Sequence, residues 1–212
     1  AVINNCTFSG NYATNGGGTY NGNRSYPVFT NCLFLNNGAS QTGGAMYNPD
    51  FTGGIGSSAI INCTFSGNSA ASGSVANNIH ANLTMTNCIL WGNTGGVISN
   101  NNSTTNFNNS IVQGGYSPCA NCPNGNGDID PLFVSTTDFR LQECSPAIDA
   151  GTSSGAPAND IEGNGRVDAA LGNGIVDMGA YEFQGTVPGP TPFCASNLTV
   201  QLDANLTATV TA

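Results

Sequence analysis

The chain contains no lysine, one histidine and one tryptophan, and its only cations are Arg24, Arg140 and Arg166. Against 12 acids this leaves a net charge of −9 over 212 residues. Such a balance argues against a basic face for nucleic acid or for an anionic membrane surface. Charge of either sign is scarcest in residues 1–127, which hold one acid, Asp50, together with Arg24 and His80. Glycoside hydrolysis needs two carboxylates across a cleft, and this half does not supply them. Lyase chemistry wants a basic proton acceptor; Arg24 and His80 are the only candidates, and no motif draws them together. No apolar run approaches the roughly 20 residues of a membrane-spanning helix. No window repeats apolar side chains at i, i+3, i+4 and i+7, which excludes amphipathic helices as the organising element.

What is present is a repeat. The word Asn-Cys-x-apolar occurs as Asn5-Cys6-Thr7-Phe8, Asn31-Cys32-Leu33-Phe34, Asn62-Cys63-Thr64-Phe65 and Asn87-Cys88-Ile89-Leu90. A further copy, Asn109-Ser110-Ile111-Val112, places Ser in the Cys position. The steps between these positions are 26, 31, 25 and 22 residues. Two residues before each Asn stands a large apolar side chain: Ile3, Phe29, Ile60, Met85 and Phe107. Three residues past the word comes another Asn, at Asn11, Asn37, Asn68 and Asn93. A small-residue stretch follows, as Gly16-Gly17-Gly18-Thr19-Tyr20-Asn21 and Gly43-Gly44-Ala45-Met46-Tyr47-Asn48, then more loosely from Gly73 and from Gly95.

Units of this length cannot bury their own apolar face and must stack on neighbours. Their two-residue alternation, broken by Gly and Asn, reads as short strands. The expected fold is all-β: a right-handed parallel β-helix of three short strands per coil, with coils about 4.8 Å apart. Cys6, Cys32, Cys63, Cys88 and Ser110 then form one inward column, and Phe8, Phe34, Phe65, Leu90 and Val112 the next. Asn sits at the bend, where it tolerates left-handed backbone and can bond to its copies above and below. A column of Cys could be a metal or redox site, or a stack of small buried side chains. Zinc wants closely spaced ligands. Parallel Cβ vectors in a stack point wrongly for disulfides. A buried free Cys packs as a small hydrophobe, which is the reading adopted.

The pair of words Phe-x-x-Asn (Phe8 to Asn11, Phe34 to Asn37, Phe65 to Asn68, with Leu90 to Asn93 degenerate) and Gly-Gly-Ala-[Ile/Leu/Val] (here Gly43-Gly44-Ala45-Met46 and Gly95-Gly96-Val97-Ile98) spans residues 1 to about 116. It resembles the repeat of polymorphic outer membrane proteins and related bacterial surface β-helices. Residues 128–184 carry five motifs in order: Asp130-Pro131-Leu132-Phe133-Val134, Asp138-Phe139-Arg140-Leu141, Ser145-Pro146-Ala147-Ile148-Asp149-Ala150-Gly151, Asp160-Ile161-Glu162-Gly163-Asn164 with Arg166, and Val176-Asp177-Met178-Gly179-Ala180-Tyr181-Glu182. This order is similar to the module that closes β-helices of the choice-of-anchor Q type in secreted bacterial proteins. The two resemblances imply a surface or secreted protein and no known catalytic residues. Residues 117–184 are therefore expected to cap the last coil, with Arg166 paired to Asp149 or Asp177. Asp160, Glu162, Asn164 and Asp168 also stand at calcium-loop spacing, although Leu171 takes the place of the closing Glu, so calcium is a weak cofactor candidate.

Residues 185–193 read as a Pro-rich linker. Residues 194–212 alternate as two strands after Cys194 and resemble the opening of hyalin-repeat-like immunoglobulin-type modules. Two strands are too few to stand alone, so the chain is expected to belong to a longer protein, with Cys194 paired beyond Ala212. Cys119 and Cys122 lie in a Pro/Gly/Asn loop and read as a disulfide staple, with Cys122–Cys144 the alternative. A staple suits an oxidising, extracellular compartment. The functional expectation is a non-catalytic extracellular surface module, a stalk or adhesin-type scaffold that does not itself insert into a membrane. The alternatives are a polysaccharide lyase or hydrolase, and a flat face that binds glycan or a host surface protein. The outward residues Thr7, Leu33, Thr64, Ile89 and Ile111 give no regular Thr array; Tyr20, Tyr26, Tyr47 and Trp91 are the aromatics that could stack on sugars.

Overall fold

The computed structural model describes residues 1–22, 25–51, 56–117, 119–122, 127–166 and 175–185. It is a β-solenoid of about four turns whose strands pair in parallel between successive coils. The first sheet stacks Val2–Asn4, Val28–Thr30, Gly56–Ile61, Ala81–Thr86, Thr105–Asn108 and Cys119–Ala120. Each of its first five strands gives way to the Asn of an Asn-Cys word or, at Asn109, of its Asn-Ser copy. Asn5, Asn31, Asn62, Asn87 and Asn109 all hold φ between 44° and 53°. Asn enters this left-handed region more readily than most L side chains, so one residue suffices to swing the chain into the next face. That face is the second sheet: Thr7–Ser9, Leu33–Leu35, Thr64–Ser66, Ile89–Trp91 and Ile111–Val112.

A second left-handed corner follows at Gly10, Asn36, Gly67 and Gly92, and a third at Gly16, Gly43 and Gly73. At Gly43 a Cβ would sit 2.3 Å from the Met46 carbonyl oxygen, so this corner closes only without a side chain. The third corner leads into Thr19–Tyr20, Met46–Pro49, Ala76–Ile79 and Ile98–Asn101, the third sheet. Between the second and third corners the chain stays extended long enough to pair again. Tyr12–Asn15 joins Gly38–Thr42, and single bridges at Ser69 and Thr94 continue the line. The coil therefore has four strand positions, one more than expected.

The register brings like onto like. Phe8 pairs with Phe34, Phe34 with Phe65, Phe65 with Leu90, and Leu90 with Val112. The three phenyl rings stack with centroids 4.7 Å apart and planes within 8°. Ile3, Phe29, Ile60, Met85, Phe107 and Cys119 form the facing column. Cys32, Cys63 and Cys88 are wholly buried, and Cys6 in the outermost coil is half-buried. The column does more than pack. The Cys32 N–H donates to Cys63 Sγ at 3.3 Å, and the Cys88 N–H donates to Ser110 Oγ at 3.0 Å. The corner leaves these amides outside the sheet ladder, and the side chain of the next coil accepts them. Cys and Ser share that capacity, which explains their exchange at position 110.

The stack continues past its last full coil. Asn121 holds φ 54°, Cys119 pairs with Phe107, and the Ser110 N–H donates to Cys122 Sγ at 3.3 Å. Asn121-Cys122 is thus a sixth copy of the word, only 12 residues after Ser110. The Cys119–Cys122 disulfide, with Cα atoms 5.6 Å apart, joins two neighbouring inward positions of this short turn. With Cys122 so paired, the alternative Cys122–Cys144 link is not formed.

Beyond the last coil, residues 128–166 and 175–185 are described. They run back along the flank and cover the outer face of the second sheet. Ile89 and Ile111 on that face pack with Leu141, Ala147 and Met178 of the covering segment. The linker, Cys194 and the expected sandwich strands lie outside the described residues.

Candidate functional site

The outward residues of the second sheet were the candidates for a flat ligand-binding face. From the second coil onward they are buried: Leu33, Thr64, Ile89 and Ile111 all lie under the cover. The Asn column anchors it. Asn31 Nδ2 donates to the Asn159 carbonyl at 2.7 Å, Asn62 Nδ2 to the Asp177 carbonyl at 3.0 Å, Asn87 Nδ2 to the Thr152 carbonyl at 2.9 Å, and Asn109 Nδ2 to the Ala150 carbonyl at 3.1 Å. Gly179 lets the two layers touch. Its φ is 90°, and a Cβ there would meet Ile89 Cδ1 at 2.9 Å and Thr64 Oγ1 at 3.0 Å.

The centre of this seam is Arg166, which is 0% exposed. Nη1 donates to Glu182 Oε2 at 3.1 Å, and Nη2 to Asn31 Oδ1 at 2.8 Å and to the carbonyls of Gly179 and Ala180. The expected partners, Asp149 and Asp177, do not form the ion pair. The Asp177 carboxylate instead accepts the N–H groups of Asp149 and Phe183. Which carboxylate reaches a buried cation depends on the path of the chain, and sequence order does not reveal it. Asp160, Asp177 and Glu182 crowd this single guanidinium, so the cluster carries an excess of carboxylate. Burial pushes Glu182 up to about 8 and Asp177 up to about 6.

The calcium-like positions are otherwise employed. Asp160 Oδ1 accepts the N–H groups of Glu162 and Asn164, and its Oδ2 accepts the Glu182 N–H at 3.0 Å. Glu162 ion-pairs with Arg140. Asp168 lies outside the described residues, and among the described residues no three His, Cys, Asp or Glu side chains converge as a metal set. Within the Cys column, burial pushes Cys88 up to about 12 and Cys63 well above the usual thiol range, whereas the hydrogen bond with Cys63 lowers Cys32 to about 7. Asp50 is buried and accepts the Tyr26 hydroxyl at 2.6 Å. Its N–H donates to the Ile79 carbonyl, which places it one coil from His80; Arg24 lies outside the described residues. Tyr47 is buried edge-on against Tyr20.

Trp91 lines a cleft. The cleft encloses about 490 Å³ between the second corner (Asn36, Gly67, Gly92) and the cover (Asp130, Phe133, Gln142). The sequence names Trp91, but the opposite wall is formed only when the cover folds back, which periodicity does not signal.

The fold and this seam define a parallel β-solenoid whose own chain covers one of its faces. In comparisons with known proteins, no family model, no curated protein and no solved structure matches the chain.

Proposed function

We propose that this chain is a non-catalytic scaffold module of a secreted or cell-surface bacterial protein, of the polymorphic outer membrane protein and choice-of-anchor Q kind that its motifs resemble. The observation that carries the reading is the continuity of the stack. Amide ladders run along it from Asn11 through Asn37 and Asn68 to Asn93, and from Asn21 through Asn48 and Asn78 to Asn100. Such ladders tie successive coils into a stiff rod without calling on charge. The Cys119–Cys122 disulfide is in keeping with an oxidising compartment. The buried, hydroxyl-bonded carboxylate of Asp50 leaves the coils without an available acid, in keeping with a structural role.

Antibody raised against the folded chain should label intact, unpermeabilised producing cells or their culture medium. Label confined to the cytoplasm overturns the reading. Release of reducing sugar or unsaturated uronate from common polysaccharides, lost on changing Asp50 or His80, would replace it with an enzyme.

A further inference from the structure

We propose that the cleft beside Trp91 binds a neutral oligosaccharide, with one sugar ring stacked on the indole and its hydroxyls donating to Asp130, Asn36 and Gln142. This goes beyond the scaffold reading and does not depend on it.

The cleft volume of about 490 Å³ lies within the range of small-ligand sites. Gly67 and Gly92 line it without side chains, and the Asn36 amide oxygen lies over Gly67. One wall is Trp91, half-buried and packed against the apolar cluster under the cover, which fixes the ring. Its indole N–H donates to no protein group among the described residues. A held aromatic plane with a polar edge is what the apolar C–H face of a sugar needs.

The polar groups around it are acceptors with capacity to spare. Asp130 is exposed, and its Oδ1 accepts the Leu132 N–H at 2.9 Å, which orients the carboxylate while Oδ2 bonds no described group. Gln142 spends its Nε2 on the Phe133 carbonyl at 2.7 Å, leaving Oε1 to accept. The exposed Asn36 amide makes no hydrogen bond among the described residues. Acceptors of this kind suit a ligand rich in hydroxyl donors.

Leu132 in the same wall holds φ 51°, an outlying conformation for a bulky side chain. Strained backbone of this sort concentrates at binding sites. Charge narrows the ligand further. Asp130 faces the cleft, no cation lines it, and eleven of the chain's 12 acids lie beyond residue 127, in the part of the sequence that supplies the cover, so uronic acids are repelled. Hydrolysis takes two carboxylates, and only one lines this cleft, so the ligand is held rather than cut.

Trp91 is the only tryptophan, so its fluorescence reports on this site alone. Cellohexaose, xylohexaose, mannohexaose and chitohexaose are titrated into the folded chain. At least one should shift the emission saturably, with a dissociation constant of about 1 mM or tighter. By calorimetry, Trp91→Ala and Asp130→Asn should each weaken that sugar by about tenfold or more, equivalent to about 1.4 kcal/mol. Tyr20→Ala, at an exposed position on the third sheet, should leave it unchanged, and circular dichroism checks that each variant is folded. The proposal is overturned if none of the four sugars shifts the emission at about 10 mM, far above that constant. It is also overturned if a folded Trp91→Ala or Asp130→Asn protein binds as the parent does, or if hexagalacturonate binds more tightly than every neutral sugar.

Discussion

Arg166 Nη2 donates to Asn31 Oδ1 at 2.8 Å, in the gap where the amide of Asn62 would otherwise continue the ladder. On either side the ladder is intact: Asn31 bonds Asn5, and Asn87 bonds Asn62, each at 3.1 Å. Between them the guanidinium of the cover replaces an amide of the coil. The cover thus enters the hydrogen-bond system of the stack, and is not merely laid upon it.

Arg166→Met should therefore leave Glu182 and its neighbouring carboxylates buried without a cation and destabilise the chain by about 3–5 kcal/mol. Adding Glu182→Gln should recover part of the loss. Urea denaturation of the two variants measures both effects; a neutral Arg166→Met would show that the cation does not hold the seam.

The same cluster predicts a pH dependence. Glu182 is raised from 4.5 to about 8, and Asp177 from 3.8 to about 6. Below these unfolded values both states hold the protons, and the contribution is complete. Above them the folded state retains protons that the unfolded chain has released, so stability falls as pH rises, through about 6 for Asp177 and about 8 for Glu182. Arg166 faces both groups, Asp149 faces Asp177, and Asp177 and Glu182 face each other. Melting temperature should rise from pH 8.5 to pH 5, opposite to the usual trend for paired carboxylates, and Glu182→Gln should flatten the upper part of the curve.

Ser110→Ala should cost about 1–3 kcal/mol, because it leaves the buried Cys88 N–H without an acceptor. Ser110→Cys restores the sulfur found elsewhere in the column and should cost less than Ser110→Ala. Equal losses for the two, by thermal melting, would reduce the column to space-filling.

Gly179→Ala combines a positive φ with contacts under 3.1 Å to Ile89 and Thr64, so it should lift the cover locally. The expected signature is faster amide exchange at Asn87 and Met178, with the phenyl stack of Phe34 and Phe65 still protected.

Thiol counting tests the column as a whole. Cys6, half-buried, should react first among Cys6, Cys32, Cys63 and Cys88 in the folded chain. All four should react once it is unfolded without reductant, whereas Cys119 and Cys122 should not. Linkage of Cys6 to Cys32 would contradict the stacking geometry.

The parallel coil was legible because Asn5, Asn31, Asn62, Asn87 and Asn109 set the frame that the corners then obey. The sixth copy at Asn121 carries a weaker signal, because it follows Ser110 by only 12 residues and its sequence has Pro123 after the Cys. The covered flank left a trace: Leu33, Ile89 and Ile111 are apolar at outward positions, which an open face would not favour. Their covering lies at separations of 41 to 135 residues along the chain, as at Asn109–Ala150 and Asn31–Arg166. A repeat pattern carries no information on contacts of that range. The Arg166 partner and the cleft at Trp91 share that obscurity, since both exist only once the cover has folded back.

A solenoid held by neighbour contacts alone can fray coil by coil from either end. Here one segment reaches Asn31, Asn62, Asn87 and Asn109 in four successive coils. None of those coils can open without breaking contacts that also serve the others. Loss of order from the second coil onward is thereby made cooperative, and the outermost coil, where Val2 and Tyr12 are exposed, is left as the part that opens on its own.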